Sequence, residues 1–193
     1  MENDLNKLRD RAYKCAIEHG FHDNEYSDAH WLMLVLTEIG EAVNADRKGD
    51  YANADEFISI NDITIKRTGN KEYLNKYAFA TNIKDSVEDE LADVVIRLLD
   101  FAGLRNVNID ISNDVTYSKE YFNSISFVES SYKLCKMVMD NDVIEGLMVE
   151  ETVNYSISYI VQWCKYLKID IFQHIDWKMK YNELREYKNG KSY

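Results

Sequence analysis

The chain contains no proline, and only 7 glycines and 3 cysteines in 193 residues. Average usage would supply about ten prolines and about thirteen glycines. Proline removes an N–H donor and clashes with the preceding helical turn, and glycine costs backbone entropy. The scarcity of both predicts long uninterrupted helices and excludes collagen-like, linker-rich and turn-rich β architectures. With the glycines spread out, no Gly-rich phosphate loop is present, which argues against a P-loop or Rossmann site. HExxH and GxSxG motifs are absent too. The cysteines, Cys15, Cys135 and Cys164, are odd in number and form no CxxC pair. They read as free thiols in a reducing cytoplasm. The longest apolar run, Trp31 to Leu36, is too short to span a bilayer. The polar, acidic start Met1-Glu2-Asn3-Asp4 does not resemble a signal peptide. A cytoplasmic location with no membrane partner is therefore expected.

Basic residues are also in short supply: 23 Lys and Arg stand against 34 Asp and Glu, for a net charge of -11. No long run of Lys and Arg interrupts this acidity, so no nucleic-acid partner is expected. The acid excess has two readings, solubility or a group of carboxylates gathered around a cation. Hydrophobic residues at 46% exclude disorder, and 14 Tyr and 3 Trp offer rings for a core or for stacking on a base.

Apolar residues recur with the 3.6-residue period of helices, so the expected fold is all-α, a helical bundle. One helix is predicted from Asp4 to His19, stopped by Gly20. A second runs from Ala29 to Lys48, stopped by Gly49, and is the most apolar. The segment from Asp50 to Asp85 has strand-like runs, Phe57–Ile60 and Ile63–Ile65. It is read as short helices with a mobile loop around Lys66–Asn70. Ser86-Val87-Glu88-Asp89 fits a capping box that opens a helix ending at Gly103. Further helices are expected over Ser118–Met139, Val143–Tyr166 (capped by Asp142 and Glu145) and Asp170–Lys188.

Two acid pairs carry the chemistry. The second helix holds Glu38-Ile39-Gly40-Glu41, and the Ser86 helix holds Glu90-Leu91-Ala92-Asp93. Spacing i,i+3 puts both side chains of a pair on one face, about one turn apart. Packed face to face, the two helices would gather four carboxylates, which repel unless a cation neutralises them. Hard oxygen ligands suit Mg²⁺, with Mn²⁺ as a substitute. Either pair could equally be a solvated surface pair. Gly40 has no evident reason to lie inside a helix, unless a neighbour or ligand approaches there.

The segments Leu36-Thr37-Glu38-Ile39-Gly40-Glu41-Ala42 and Asp89-Glu90-Leu91-Ala92-Asp93-Val94-Val95 resemble the ExxE…ExxD signature of the all-α NTP pyrophosphatases, the MazG-like and dimeric dUTPase superfamily. Lys178-Met179-Lys180-Tyr181-Asn182-Glu183-Leu184-Arg185-Glu186-Tyr187-Lys188-Asn189-Gly190-Lys191 resembles the KMxYNxxRPYKHGKK tail of many MazG-like proteins. The resemblance implies that Glu38, Glu41, Glu90 and Asp93 bind Mg²⁺ and act in catalysis. A nucleoside triphosphate is then cleaved at the α–β bond to a monophosphate and pyrophosphate. Two departures stand out. The segment between the pairs is long, which makes Asp50–Asp85 an insertion or lid, and Glu186 and Asn189 replace the tail's Pro and His.

Other candidates follow from position. Lys178, Asn182 and Arg185 share one helical stripe; the resemblance favours phosphate or sugar contact over a solvated helix face. Lys84 and Arg97 flank the second pair and would meet phosphate oxygens or nearby acids. Trp31 would stack on a base or belong to the core. A non-catalytic regulatory or partner-binding helical module is the alternative function.

The sequence also echoes itself: Val87–Ile109 aligns with Val149–Ile171 at an offset of 62, placing Glu90 on Thr152 and Asp93 on Tyr155. Glu38 and Glu41 align loosely with Lys133 and Lys136. Two amphipathic helices can align by chance; otherwise the single domain 1–193 is a fused pseudo-dimer. Residues 1–110 would then keep the acids, and 111–193 would be a degenerate half plus a nucleotide-contacting tail. A homodimer stays open.

Overall fold

The computed structural model describes residues 4–70, 73–112, 114–139 and 149–187. Among these residues there are nine helices and no strand: α1 (Leu5–Glu18), α2 (Asp28–Lys48), α3 (Ala54–Thr68), α4 (Lys76–Asn82), α5 (Val87–Leu104), α6 (Lys119–Asn123), α7 (Phe127–Val138), α8 (Val149–Leu167) and α9 (Ile171–Glu183). The protein is an all-α bundle, as its periodicity requires. No helix among the described residues is long and apolar enough to cross a membrane.

Local signals set the helix ends. The Asp4 side chain accepts from Lys7 N at the start of α1, and Gly49 closes α2 at φ +76, where only glycine is unstrained. α5 is the axis of the bundle. Val87, Leu91, Val94, Val95, Leu98, Leu99 and Phe101 are all buried, and α5 packs on α1, α2, α8 and α9. A helix apolar over most of its girth belongs in the interior. Gly103, near its end, lets α1 approach closely: a Cβ there would lie 2.5 Å from Tyr13 Cβ. Arg11 of α1 reaches Asp176 at 2.8 Å and Glu183 at 2.7 Å, which ties α1 to α9.

The chain departs from the sequence expectations in four places. The strand-like runs and Lys66–Thr68 all lie in one 15-residue helix, α3, capped by Asn53 and closed by Gly69. The helix expected over Ser118–Met139 breaks at Ser124. Ser126 and Glu129 there form the capping box that opens α7. The box expected at Ser86 is only half made: Ser86 Oγ accepts from Asp89 N, but the Asp89 carboxylate turns elsewhere. The last helix stops at Glu183, its C-cap Leu184 donating to Tyr181 O and Asn182 O. The caps expected at Asp142 and Glu145, and the tail from Lys188 onward, lie outside the described residues.

The α3–α4 segment has a small core of its own, Phe57, Leu74, Ala78, Phe79 and Ile83. It is braced against α9. Phe57 meets Trp177 at 4.6 Å between ring centroids, and Phe79 stacks on Tyr181 at 4.5 Å. The helix bearing Lys178 and Asn182 is thus held between α5 and the α3–α4 segment.

The segments paired at offset 62 include α5 and α8. α5 and α8 end in the same way. Val107 N donates to Ala102 O at 2.8 Å, and Ile169 N donates to Cys164 O at 2.9 Å. The preceding residues, Asn106 and Lys168, are both left-handed, at φ +53 and +63. α5 packs on α2 as α8 packs on α7, and the pairs meet through α2–α7 and α5–α8 contacts.

Candidate functional site

α2, α5, α9 and α1 enclose a cavity of about 320 Å³. Glu38, Glu41, Glu90, Asp93, Lys84, Lys178, Asn182 and Arg185 all line it. Of the sequence candidates only Trp31 lies apart. It is buried among Tyr26, His30 and His22, stacked on the last at 4.7 Å, and belongs to the core.

Glu38, Glu90 and Asp93 each offer an oxygen, and the three lie within 4.8 Å of one another. Glu41 lies one turn further along α2, on the exposed rim of the cavity and outside this group. Asp85, Asp89 and Glu90 make a second such group that shares Glu90. Asp85 takes a left-handed conformation, φ +63, in the turn before α5. Its N–H thereby reaches Asp89 Oδ2 at 3.0 Å. Gly40 is exposed, and a Cβ added there would meet nothing within 4 Å; no described residue explains it.

Cationic side chains pair with several of these acids. Lys178 Nζ lies 2.7 Å from Asp89 Oδ2 and 2.6 Å from Asp93 Oδ2, and Lys178 is buried. Arg97 Nε donates to Glu38 Oε1 at 2.7 Å. Lys84 turns to Asp85 at 2.5 Å. Lys84 and Arg97 each pair with a nearby acid.

Compensation is incomplete. Burial, reinforced by the Asp93 carboxylate, raises Glu90 to about 8 against the partial opposition of Lys178. Burial raises Asp89 to about 6 although Lys178 pulls it down. Glu38 is raised by burial, with Arg97 opposing. For Lys178 burial works against the charge, but Asp93 and Asp89 outweigh it and hold the ammonium protonated. Two polar atoms are buried without a hydrogen-bond partner at the site, Asp89 Oδ1 and Asn182 Oδ1. A buried acceptor in that state is costly until a donor or a cation meets it.

The cavity is also lined by Ala12, Cys15, Ala16, His19 and Phe21, with Ile96 and Met179. Its α1 wall escaped sequence reasoning, because small and apolar residues on an amphipathic helix carry no chemical signature. In the sequence Asp89 reads as the acid of a capping box. Its signal was the i,i+4 stripe Asp85–Asp89–Asp93, which continues the face of the second acid pair.

No family model matches the chain, and no curated protein or solved structure matches it.

Proposed function

We propose that the chain is a Mg²⁺-dependent nucleoside triphosphate pyrophosphohydrolase of the MazG-like and dimeric dUTPase type, which its two acid motifs and tail resemble. One observation carries this reading. Acids from two helices distant in sequence converge on a cavity that also holds Lys178, Asn182 and Arg185. The donor set fits a hard divalent cation, Mg²⁺ or Mn²⁺, because it is all carboxylate oxygen on rigid helices and leaves Asp89 Oδ1 unmatched. Glu38, Glu90 and Asp93 would hold it, with Glu41 at the rim. Such an ion supplies charge neutralisation on phosphate oxygens and a more acidic bound water.

The remaining work falls to the chain. Arg97 fixes the Glu38 carboxylate, and Lys178 fixes Asp93. Arg185 supplies a fork of donors for phosphate oxygens. Asn182 Oδ1 awaits a donor from the substrate. The apolar lining residues Ala12, Ala16, Phe21 and Met179 are suited to the base.

The alternative, a non-catalytic regulatory or partner-binding module, is favoured by a different observation: Lys178 and Arg97 already pair with three of the acids. The deciding experiment is a panel of ribo- and deoxyribonucleoside triphosphates incubated with Mg²⁺, read as released pyrophosphate and monophosphate. Activity that disappears in Asp93→Asn supports the enzyme. A silent panel with a folded protein supports the module.

A further inference from the structure

A second cavity, about 230 Å³, lies in the other half of the bundle. Its position follows the internal echo. Glu90, Asp93 and Ile96 of α5 line the first cavity, and their counterparts 62 residues on, Thr152, Tyr155 and Ser158 of α8, line the second. The two cavities therefore occupy matching faces of matching helices, and the second has exchanged its metal-ligating acids for hydroxyl groups and a ring.

That exchange changes what the cavity can hold. Among the described residues no Lys or Arg lines it, whereas Asp114 and Glu151 do. Phosphate is excluded by like charge and by the lack of a cation to meet it. The walls are otherwise apolar and aromatic: Val115, Tyr117 and Met137. Lys133 already stands 5.8 Å from the Tyr117 ring centre. Tyr155, 46% exposed, is the ring left open for stacking. Asp114 Oδ2 is buried without a hydrogen-bond partner, so a ligand with an N–H donor would satisfy it. The wall is held in place, because Gln162 accepts from Tyr117 N at 2.8 Å and donates to Val115 O at 3.0 Å. At about 230 Å³ the cavity is smaller than the roughly 300–1,000 Å³ of sites for drug-sized molecules. It therefore suits a single base-sized ring, with any attached sugar lying at the open mouth of the cavity.

We infer that the second cavity binds an uncharged pyrimidine nucleoside, its base stacked on Tyr155 and its N–H group donated to Asp114. The preference for a nucleoside over another flat ring rests on the nucleotide reading of the first cavity; the polarity and size do not.

The two cavities carry separate reporters, Met137 in the second and Met179 in the first. The full-length protein, labelled with ¹³C at its methionine methyls, is titrated with thymidine, deoxyuridine and deoxycytidine up to their solubility limits. Thymidine 5′-monophosphate is the charged control. The inference expects the Met137 methyl to shift with a nucleoside, Met179 to stay in place, and the monophosphate to act on Met137 at least about tenfold more weakly. Tyr155→Ala should weaken the Met137 response about tenfold, the usual scale of base–aromatic stacking. A response confined to Met179, a silent Met137, or a monophosphate equal to the nucleoside would overturn it. These outcomes do not depend on pyrophosphate release, so a failed enzyme assay and a failed second site are told apart.

Discussion

Lys178 Nζ stands 2.6 Å from Asp93 Oδ2, so an ammonium group from α9 sits among the acids of α5. The pair is buried on the lysine side and is shared with Asp89. Removing one partner of such a pair strands the other charge, at a cost of about 3–5 kcal/mol. Lys178→Ala should therefore lower stability by about that amount at neutral pH. Because the stranded acids then have no internal cation, Mg²⁺ should raise the melting temperature of the variant more than that of the parent. An equal Mg²⁺ effect on both proteins would show that the ammonium and the ion do not share these acids.

Glu90 gives a pH dependence of definite sign. Its folded value, about 8, lies above its ordinary value of 4.5. The folded chain then holds a proton that the unfolded chain has lost, so this contribution to stability is full below pH 4.5 and falls as pH rises to about 8. Asp89, raised to about 6, adds a fall over the lower part of that range. Urea denaturation between pH 5 and 8.5 should show stability declining. Glu90→Gln should flatten the decline, and a variant with the parent's slope would refute the assignment.

How much of this was readable beforehand depends on whether the signal was local. Ser86, Gly49 and Asp4 mark helix ends through bonds within a turn, so α1, α2 and α5 were legible. Ser126 and Glu129 carry the same kind of signal, but the apolar pattern runs on through them and hides the break. The acid pairs were legible as pairs because i,i+3 spacing needs no tertiary knowledge. Their neutralisation was not, since Lys178 lies 85 residues beyond Asp93 and Arg97 is 59 residues beyond Glu38. Trp31 shows the converse limit: an aromatic on an apolar helix looks the same from sequence whether it faces a ligand or a His22 ring.

The α3–α4 segment should act on the site through α9. Phe79 is fully buried and stacks on Tyr181, three residues beyond Lys178. Phe79→Ala removes that support and leaves a cavity, a loss of about 3–5 kcal/mol. If the brace positions Lys178 and Asn182 and the proposed hydrolysis is observed, the variant should also show a raised KM for the nucleoside triphosphate at a temperature where it remains folded. An unchanged KM in a destabilised variant would confine the segment to a stabilising role.

Two glycines separate packing from approach. At Gly103 an added Cβ would lie 2.5 Å from Tyr13 Cβ and 2.7 Å from its Cγ. Gly103→Ala must therefore push α1 away from α5, and the strain, typically about 1–3 kcal/mol, should exceed any helix-propensity gain. At Gly40 the same methyl group meets nothing, so Gly40→Ala should stabilise the chain by about 1 kcal/mol, the helical advantage of alanine. Both are measured by urea denaturation. Gly40 lies between Glu38 and Glu41, so turnover of Gly40→Ala decides the purpose of its glycine. Retained turnover leaves the position a neutral surface site. A stabilised but inactive variant would mean that a ligand or a second chain comes against this face of α2 in the working protein.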